Sequence, residues 1–566
     1  MVETPNPDFS DHLTLTGADA AQDAGWTGEG IRIGVIDSGV NRDHPALAGR
    51  VVDNLTYIDP NTNDLSVDDV VGHGTAVAQI IAGQAFGQWP GGVAPGAEIV
   101  SARIISDEPP EDDGSGEGNE VDGALGLAPI HDDLIARDVR IMNNSWGGLY
   151  WTNPAATAEI AAEYRPFIVD NDGLVVFSAG NSGFADPSDM SALPSQAGTG
   201  GSRPAADLER GWLAVAALDA DSPTQLAVYS NACGVAMDYC LAAPGTVVVT
   251  GTDDPPDDPE YWQWSGTSFA APIVSGAAAL VWEAFPYFDN DLVRQTLLGT
   301  ATDLGAPGVD AVFGHGAVDV EAAVRGPARL DWGDVTADFD GITSTWGNAL
   351  SGDGALVKRG TGTLVLGATA GNAGGLRVEQ GALLAERSVS GDVTVERSGT
   401  FGLGIAVLGD LVNEGRTDLL PHEAGSSPSA STVGGDYLHA SGAVLGLALG
   451  QVLEVTGRVE LSGGELRILG VKDGYTAGSR EPVVSSIAGL TGTFSSLTWA
   501  SSLFLDAEID YDAFEAWLDI ERIDVASAAK SMARIRPAGV SAAQRVEAAF
   551  DAIDAHDAAG RSSAVD

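Results

Sequence analysis

The chain has 566 residues, with 28 Lys or Arg against 80 Asp or Glu, a formal net charge of −52 at neutral pH. Hydrophobic residues make up 44%, enough for packed cores, so a wholly disordered chain is excluded. So negative a chain is also no nucleic-acid binder, because gripping a phosphate backbone needs a basic patch.

Residues 1–11 are polar and acidic and lack the apolar run of a secretion signal, so any such signal is expected to be absent or removed. "IRIGVID" (Ile31–Asp37) is a short apolar run suited to a buried parallel strand, and "TAVAQIIAG" (Thr75–Gly83) reads as a helix. Strands follow at 97–105, 139–145, 173–180 and 211–219, and "APIVSGAAALVWEAF" (Ala271–Phe285) reads as a long helix buried on most sides. Strands interleaved with helices predict an α/β domain over residues 1–328. No stretch approaches the ~18 consecutive apolar residues of a membrane span. The first lysine is Lys358, and an acidic, lysine-poor surface suits solubility outside the cell or in salty water.

From about Leu330 helical periodicity gives way to short alternating segments punctuated by Gly, Asn and Asp, such as "GTLVLG" and "GRVELSGGELRILG". Alternation turns one face inward, and rungs of this kind bury that face by stacking, so residues 329–525 are predicted as a β-solenoid, with a β-sandwich as the alternative. Residues 526–566 are rich in Ala and Arg. A helix there places Val546, Phe550 and Ile553 on one face. The two cysteines, Cys233 and Cys240, either close a local disulfide or stay as buried thiols.

Three segments carry chemistry. Asp37 ends an apolar strand in "VIDSGV", where the carboxyl edge of a parallel sheet faces a ligand crevice. His73 stands between two glycines in "GHGTAVA", at a helix start with space for close approach. Ser268 lies in "SGTSFAAPIVSG", also at a helix start, with Pro272 placed in the first turn. Singly these are a turn residue, a structural histidine and an N-cap. Together they are a hydroxyl, an imidazole to take its proton and a carboxylate to orient that imidazole.

These motifs, in the chain order Asp, His, Ser, resemble the subtilases, the subtilisin-like serine proteases, over about Thr14–Arg325. The resemblance implies a subtilisin-like parallel sheet flanked by helices and serine endopeptidase activity on protein or peptide substrates. Asp37 would orient His73, His73 would act as general acid and base, and Ser268 would be the nucleophile. In "VVFSAGNSG", Asn181 would donate its side-chain amide to the oxyanion beside the Ser268 N–H, while Ala179 and Gly180 would line the substrate. "NNSWGG" and "DGSGEG" resemble the strands flanking the first specificity pocket. An extended substrate would add between Ser145, Trp146 and Gly147 on one side and Gly114, Ser115 and Gly116 on the other. Trp146 would pack under its strand or shape the pocket. The acidic runs at 106–120 and 253–260 read as solvated loops, or as attractors of basic substrate residues.

Many subtilases hold calcium in a loop after the His helix. Here that loop, "GQAFGQWPGG" (Gly83–Gly92), has no carboxylate, so that site is not carried over; calcium in the acidic loops stays open, and no cofactor is required for the chemistry. Residues 231–245 and 300–324 resemble autotransporter subtilases, which would make Cys233–Cys240 a disulfide. Residues 357–399 resemble an autotransporter passenger repeat, and the tail resembles the helical linker to an outer-membrane barrel. That barrel needs many amphipathic strands absent from this chain, so the chain is expected to be a secreted passenger whose outer-membrane translocator barrel is missing. The protein is then secreted or displayed on a bacterial surface after export through the periplasm. An adhesin or scaffold, with the solenoid as the working part, is the alternative.

Overall fold

The computed structural model describes residues 7–108, 119–421, 429–470, 479–499, 505–531 and 537–562. They fall into two compact units, Met1–Arg329 and Leu330–Asp566.

The first unit is built on a seven-stranded, all-parallel sheet. Its strands are β1 (Arg32–Asp37), β2 (Val51–Thr56), β3 (Glu98–Arg103), β4 (Ile141–Asn144), β5 (Leu174–Ser178), β6 (Trp212–Leu218) and β7 (Cys240–Pro244), in the order β2-β3-β1-β4-β5-β6-β7. The order reverses direction between β1 and β4. Ligand crevices open at such switch points, beyond the carboxyl ends of the strands. An antiparallel hairpin of β8 (Thr246–Thr250) and β9 (Tyr261–Ser265) follows. Two helices matter most for the site, α1 (His73–Ala82) and α2 (Thr267–Ala284).

Strands β4 to β7 are buried at every residue, which is why they read as continuous apolar runs. An aromatic cluster packs beneath β5 and β6. Phe177 stacks on Trp212 with ring centroids 5.9 Å apart, and Tyr164 meets Trp212 edge-on at 5.0 Å. Helix α2 is, by length and composition, apolar enough to cross a membrane, although no run of consecutive apolar residues in it is that long. Its apolar character serves the core instead, since 83% of it is buried in the unit. Cys233 and Cys240 are joined as a disulfide, and both are fully buried.

In the second unit a fourteen-stranded and a seven-stranded sheet are formed almost wholly from parallel pairs. Parallel register decides between the two predicted β architectures. Leu356 pairs with Leu376, Leu376 with Val393, Val393 with Leu411, Leu411 with Tyr437 and Tyr437 with Val459, all of them buried. Successive coils thus stack like residues into one internal column, as a solenoid requires. Spacings between partners are uneven because the coils carry turns of different length, which hid the repeat from the sequence. One turn is held by a ladder of aspartates. Asp392 accepts the Asp410 N–H (2.8 Å), Asp410 accepts the Asp436 N–H (2.7 Å) and Asp436 accepts the Arg458 N–H (2.7 Å). The last strands, Leu505–Tyr511 and Glu515–Arg522, pair antiparallel and end the parallel run. Helices Val525–Ser531 and Pro537–Ser562 follow, with Val546 and Ile553 exposed.

The ladder makes the solenoid turn testable. Asp436→Ala leaves the Arg458 N–H without its acceptor, worth about 1 kcal/mol. Hydrogen exchange around residues 436–458 should quicken about fivefold. Asp436→Asn, which keeps an acceptor oxygen, should exchange close to the parent rate.

Candidate active site

Asp37 ends β1 at the switch point and its side chain is fully buried. Its Oδ1 accepts hydrogen bonds from His73 Nδ1 (2.8 Å) and from the Ser38 N–H (2.7 Å), while Oδ2 is buried without a partner among the described residues. His73 opens α1 with its side chain 21% exposed, so one edge of the imidazole reaches solvent. Both flanking glycines are required. Gly72 has φ +81°, and a Cβ there would lie 2.8 Å from Thr252 Oγ1. A Cβ on Gly74 would strike the Gly39 carbonyl and lie 3.1 Å from the Asp37 Cβ.

Helix α1 begins at His73, at the helix start expected of it, with Asp69 taking free N–H groups of its first turn. This buried carboxylate accepts the N–H groups of Gly72 (2.8 Å) and Thr75 (2.9 Å), the Thr75 hydroxyl (2.6 Å) and the Ser38 hydroxyl (2.9 Å). Ser38 Oγ in turn accepts the Gly74 N–H (2.9 Å). Sequence reasoning missed Asp69. The available signal was an acid four residues ahead of a histidine that starts a helix, the place where a carboxylate satisfies free N–H groups. Burial by itself pushes the His73 imidazole down. The charge and hydrogen bond of Asp37, with the charge of Asp69, outweigh it, and the net shift is upward.

Ser268 is the second residue of α2, behind the N-cap Gly266 (φ +153°), and is therefore inside the helix, not its cap. Its N–H belongs to the first turn, where no intrahelical acceptor exists, and no partner takes it among the described residues. Pro272 lies in the second turn and not in the first as expected. Lacking an N–H, it cannot bond the carbonyl four residues back, and that carbonyl is Ser268's. Ser145 Oγ donates to it instead at 2.7 Å, and Asn143 Nδ2 donates to Ser145 Oγ at 2.9 Å. The end of β4 thus holds the start of α2. Phe269 sets its ring 5.3 Å from the His73 ring, so this helix start lies against the imidazole.

Asn181 follows β5 and is exposed. Its Oδ1 accepts from the Thr267 N–H (2.8 Å) and the Thr267 hydroxyl (3.0 Å). That leaves Nδ2 as a donor with no acceptor among the described residues. Ala179 and Gly180 face inward. Ala179 donates to Val215 O and accepts from Ser188 N–H, while Gly180 donates to Thr267 Oγ1 and accepts from Asn231 N–H. Their main-chain groups hold Asn181 in place. Ser145 is buried, Gly147 is exposed with its main-chain groups unpaired among the described residues, and Trp146 is half-buried edge-on to Phe177 at 4.9 Å. Trp146 therefore packs under its strand. Gly114, Ser115 and Gly116 lie outside the described residues.

The family model of the subtilases matches residues 28–316. The chain belongs to the subtilase family. Over 577 aligned positions this subtilase is 29% identical to the Neisserial autotransporter lipoprotein NalP of Neisseria meningitidis, covering 85% of the chain and 50% of the relative. It is 27% identical to an extracellular serine protease of Serratia marcescens, over 69% of the chain and 44% of the relative. It is 30% identical to a thermostable alkaline protease of Halalkalibacterium halodurans, over 55% of the chain and 73% of the relative. The chain spans about half the length of the first two relatives.

The loop in which subtilases hold calcium does not fit a cation in this subtilase. It has no carboxylate, Phe86 and Trp89 bridge across it, and Trp89 is buried against His12. Among the described residues no three His, Cys, Asp or Glu side chains cluster closely enough to hold a metal ion.

The imidazole's surroundings lead to a titration experiment. His73 should titrate above the ordinary histidine value of about 6.5. Asp69→Asn removes a charge that raises it, so the value should fall, as read from the His73 ring proton resonances against pH.

Proposed function

We propose that this chain is a serine endopeptidase, with Asp37, His73 and Ser268 as its proton-handling triad and Asn181 as an oxyanion donor. The observation that carries the reading is the 2.8 Å bond from His73 Nδ1 to the buried Asp37, with the first turn of α2 set against the same imidazole. With Nδ1–H committed to Asp37, the other ring nitrogen is the one free to accept a proton. It takes the Ser268 hydroxyl proton as Oγ attacks the peptide carbonyl, then passes that proton to the departing amine. Water deacylates the enzyme through the same imidazole. Asp37 keeps the tautomer and stabilises the imidazolium.

Negative charge grows on the carbonyl oxygen only as the tetrahedral state forms, so donors fixed beforehand favour that state over the substrate. Two unpaired donors border Ser268. One is its own N–H at the positive end of an 18-residue helix, and the other is Asn181 Nδ2. The exposed, unpaired main chain of Gly147 suits an extended substrate added as a strand.

Domain roles follow the same reading, with residues 1–328 as the peptidase, 329–525 as the passenger stalk and 526–566 as a linker. The autotransporter relative and the disulfide support export to an oxidising, extracellular setting, with an outer-membrane barrel as translocator partner.

A fluorophosphonate probe should label the parent and leave Ser268→Ala unlabelled, and casein digestion should disappear with the label. No labelling of a folded parent would refute the reading. Asn181→Ala should lower kcat by about 10²–10³ with KM little changed, the range known for removing the matching donor in a subtilisin.

A further inference from the structure

Next to the imidazole lies a concavity of about 450 Å³ that the chemistry above does not use. The β8–β9 hairpin forms it, with Asp253, Asp258, Glu260, Trp262 and Trp264 among its walls. Trp262 and Trp264 are two apart on β9, so their rings share one face of the strand. Trp262 is 56% exposed, unusual for so large an apolar ring. Trp264 sets its ring 6.3 Å from His73 and 5.4 Å from Phe269, so pocket and imidazole share a wall.

The concavity is built. Asp254 Oδ2 accepts the N–H groups of Gly251 (2.9 Å) and Glu260 (2.8 Å), closing the loop on itself. Asn41 Nδ2 donates to the Thr252 carbonyl (2.9 Å), tying the loop to the segment after β1. On the other face of β9 the Tyr261 hydroxyl accepts the Gln88 N–H (2.8 Å). Against this frame, the carboxylates of Asp253, Asp258 and Glu260 have no hydrogen-bond donor and no cationic partner among the described residues. His44, which feels the charges of Asp254 and Asp253, is held below the ordinary imidazole range by burial.

Uncompensated carboxylates in a concavity walled by indole rings repel one another and focus a negative potential that a cation relieves. No three of the described acids lie closely enough to hold a metal ion. The space far exceeds a bare ion, and indole faces beside carboxylates suit a flat guanidinium. The side of the substrate follows from the chemistry. The imidazole must reach the departing amine, so the leaving peptide passes the flank of His73, where Trp264 stands.

Resting on the protease reading, we propose that this pocket is a specificity subsite for an arginine side chain on the leaving-group side of the cleaved bond, with lysine a weaker occupant.

The test uses peptides with arginine, lysine or citrulline at each of the first three positions after the cut, citrulline being the uncharged counterpart of arginine. Arginine at one of these positions should raise kcat/KM about tenfold over citrulline, the sum expected for partly exposed ion pairs and a cation–π contact. The ratio should shrink at about 0.5 M salt. In the triple variant Asp253→Asn, Asp258→Asn, Glu260→Gln it should fall to near one, while the citrulline peptide, cut at the parent rate, shows that the variant is folded. Equal rates for the two peptides in the parent overturn the proposal. So does a ratio that survives in the triple variant or appears only with added calcium. If no peptide is cut and no probe labels Ser268, the protease reading fails. The pocket is then judged by fluorescence anisotropy on Ser268→Ala, where arginine and citrulline peptides binding equally would refute it.

Discussion

A carboxylate buried at the end of a central parallel strand is expensive unless something hydrogen-bonds to it. Asp37 is such a group, and the first unit is arranged around satisfying it. One oxygen takes both His73 Nδ1 and the Ser38 N–H, and the other has no partner among the described residues. The imidazole is therefore held in one tautomer by a constraint of folding before any substrate is present. The glycines on either side of His73 are the steric condition of this bond, since a side chain at either place would collide with Thr252 or Gly39. Asp69 adds a second buried charge whose hydrogen bonds cap α1 and whose field reaches the imidazole.

The other half of the site rests on a helix start carried by neighbouring strands. Pro272 removes the bond that the Ser268 carbonyl would ordinarily accept, and Ser145 at the end of β4 supplies it. Thr267 is clasped by Asn181 after β5. Two consecutive residues of the helix start, Thr267 and Ser268, are thus each held by a side chain from beyond one of two adjacent strands. Among residues expected to touch substrate, Ser145 commits its hydroxyl, and Ala179 and Gly180 commit main-chain groups, to this framework.

The second unit obeys a different economy. Its coils repeat a stacked apolar column and a hydrogen-bonded turn, but the loops between them vary in length. Alternation was therefore legible while the period was not, and solenoid and sandwich could be separated only by seeing Leu356, Leu376, Val393 and Leu411 pair in parallel. The aspartate ladder was likewise invisible, because each acid bonds to the next coil and sequence distance hides that adjacency.

By itself the sequence determined the α/β class of the first 328 residues, the alternating texture beyond them and Asp37, His73 and Ser268 as candidates, with Asn181 added only by the resemblance to the subtilases. These are local properties, carried by apolar periodicity and by short motifs whose residue types are chemically specific. Tertiary structure alone decided that His73 bonds Asp37, that Ser145 replaces a bond lost at Pro272, that Asp69 caps the helix His73 opens, and that Trp264 of β9 stands beside the imidazole at the edge of an acidic concavity. Each of those facts is a meeting of side chains from segments distant along the chain. Such meetings are set by strand order, register and helix entry, which no short stretch of residues encodes.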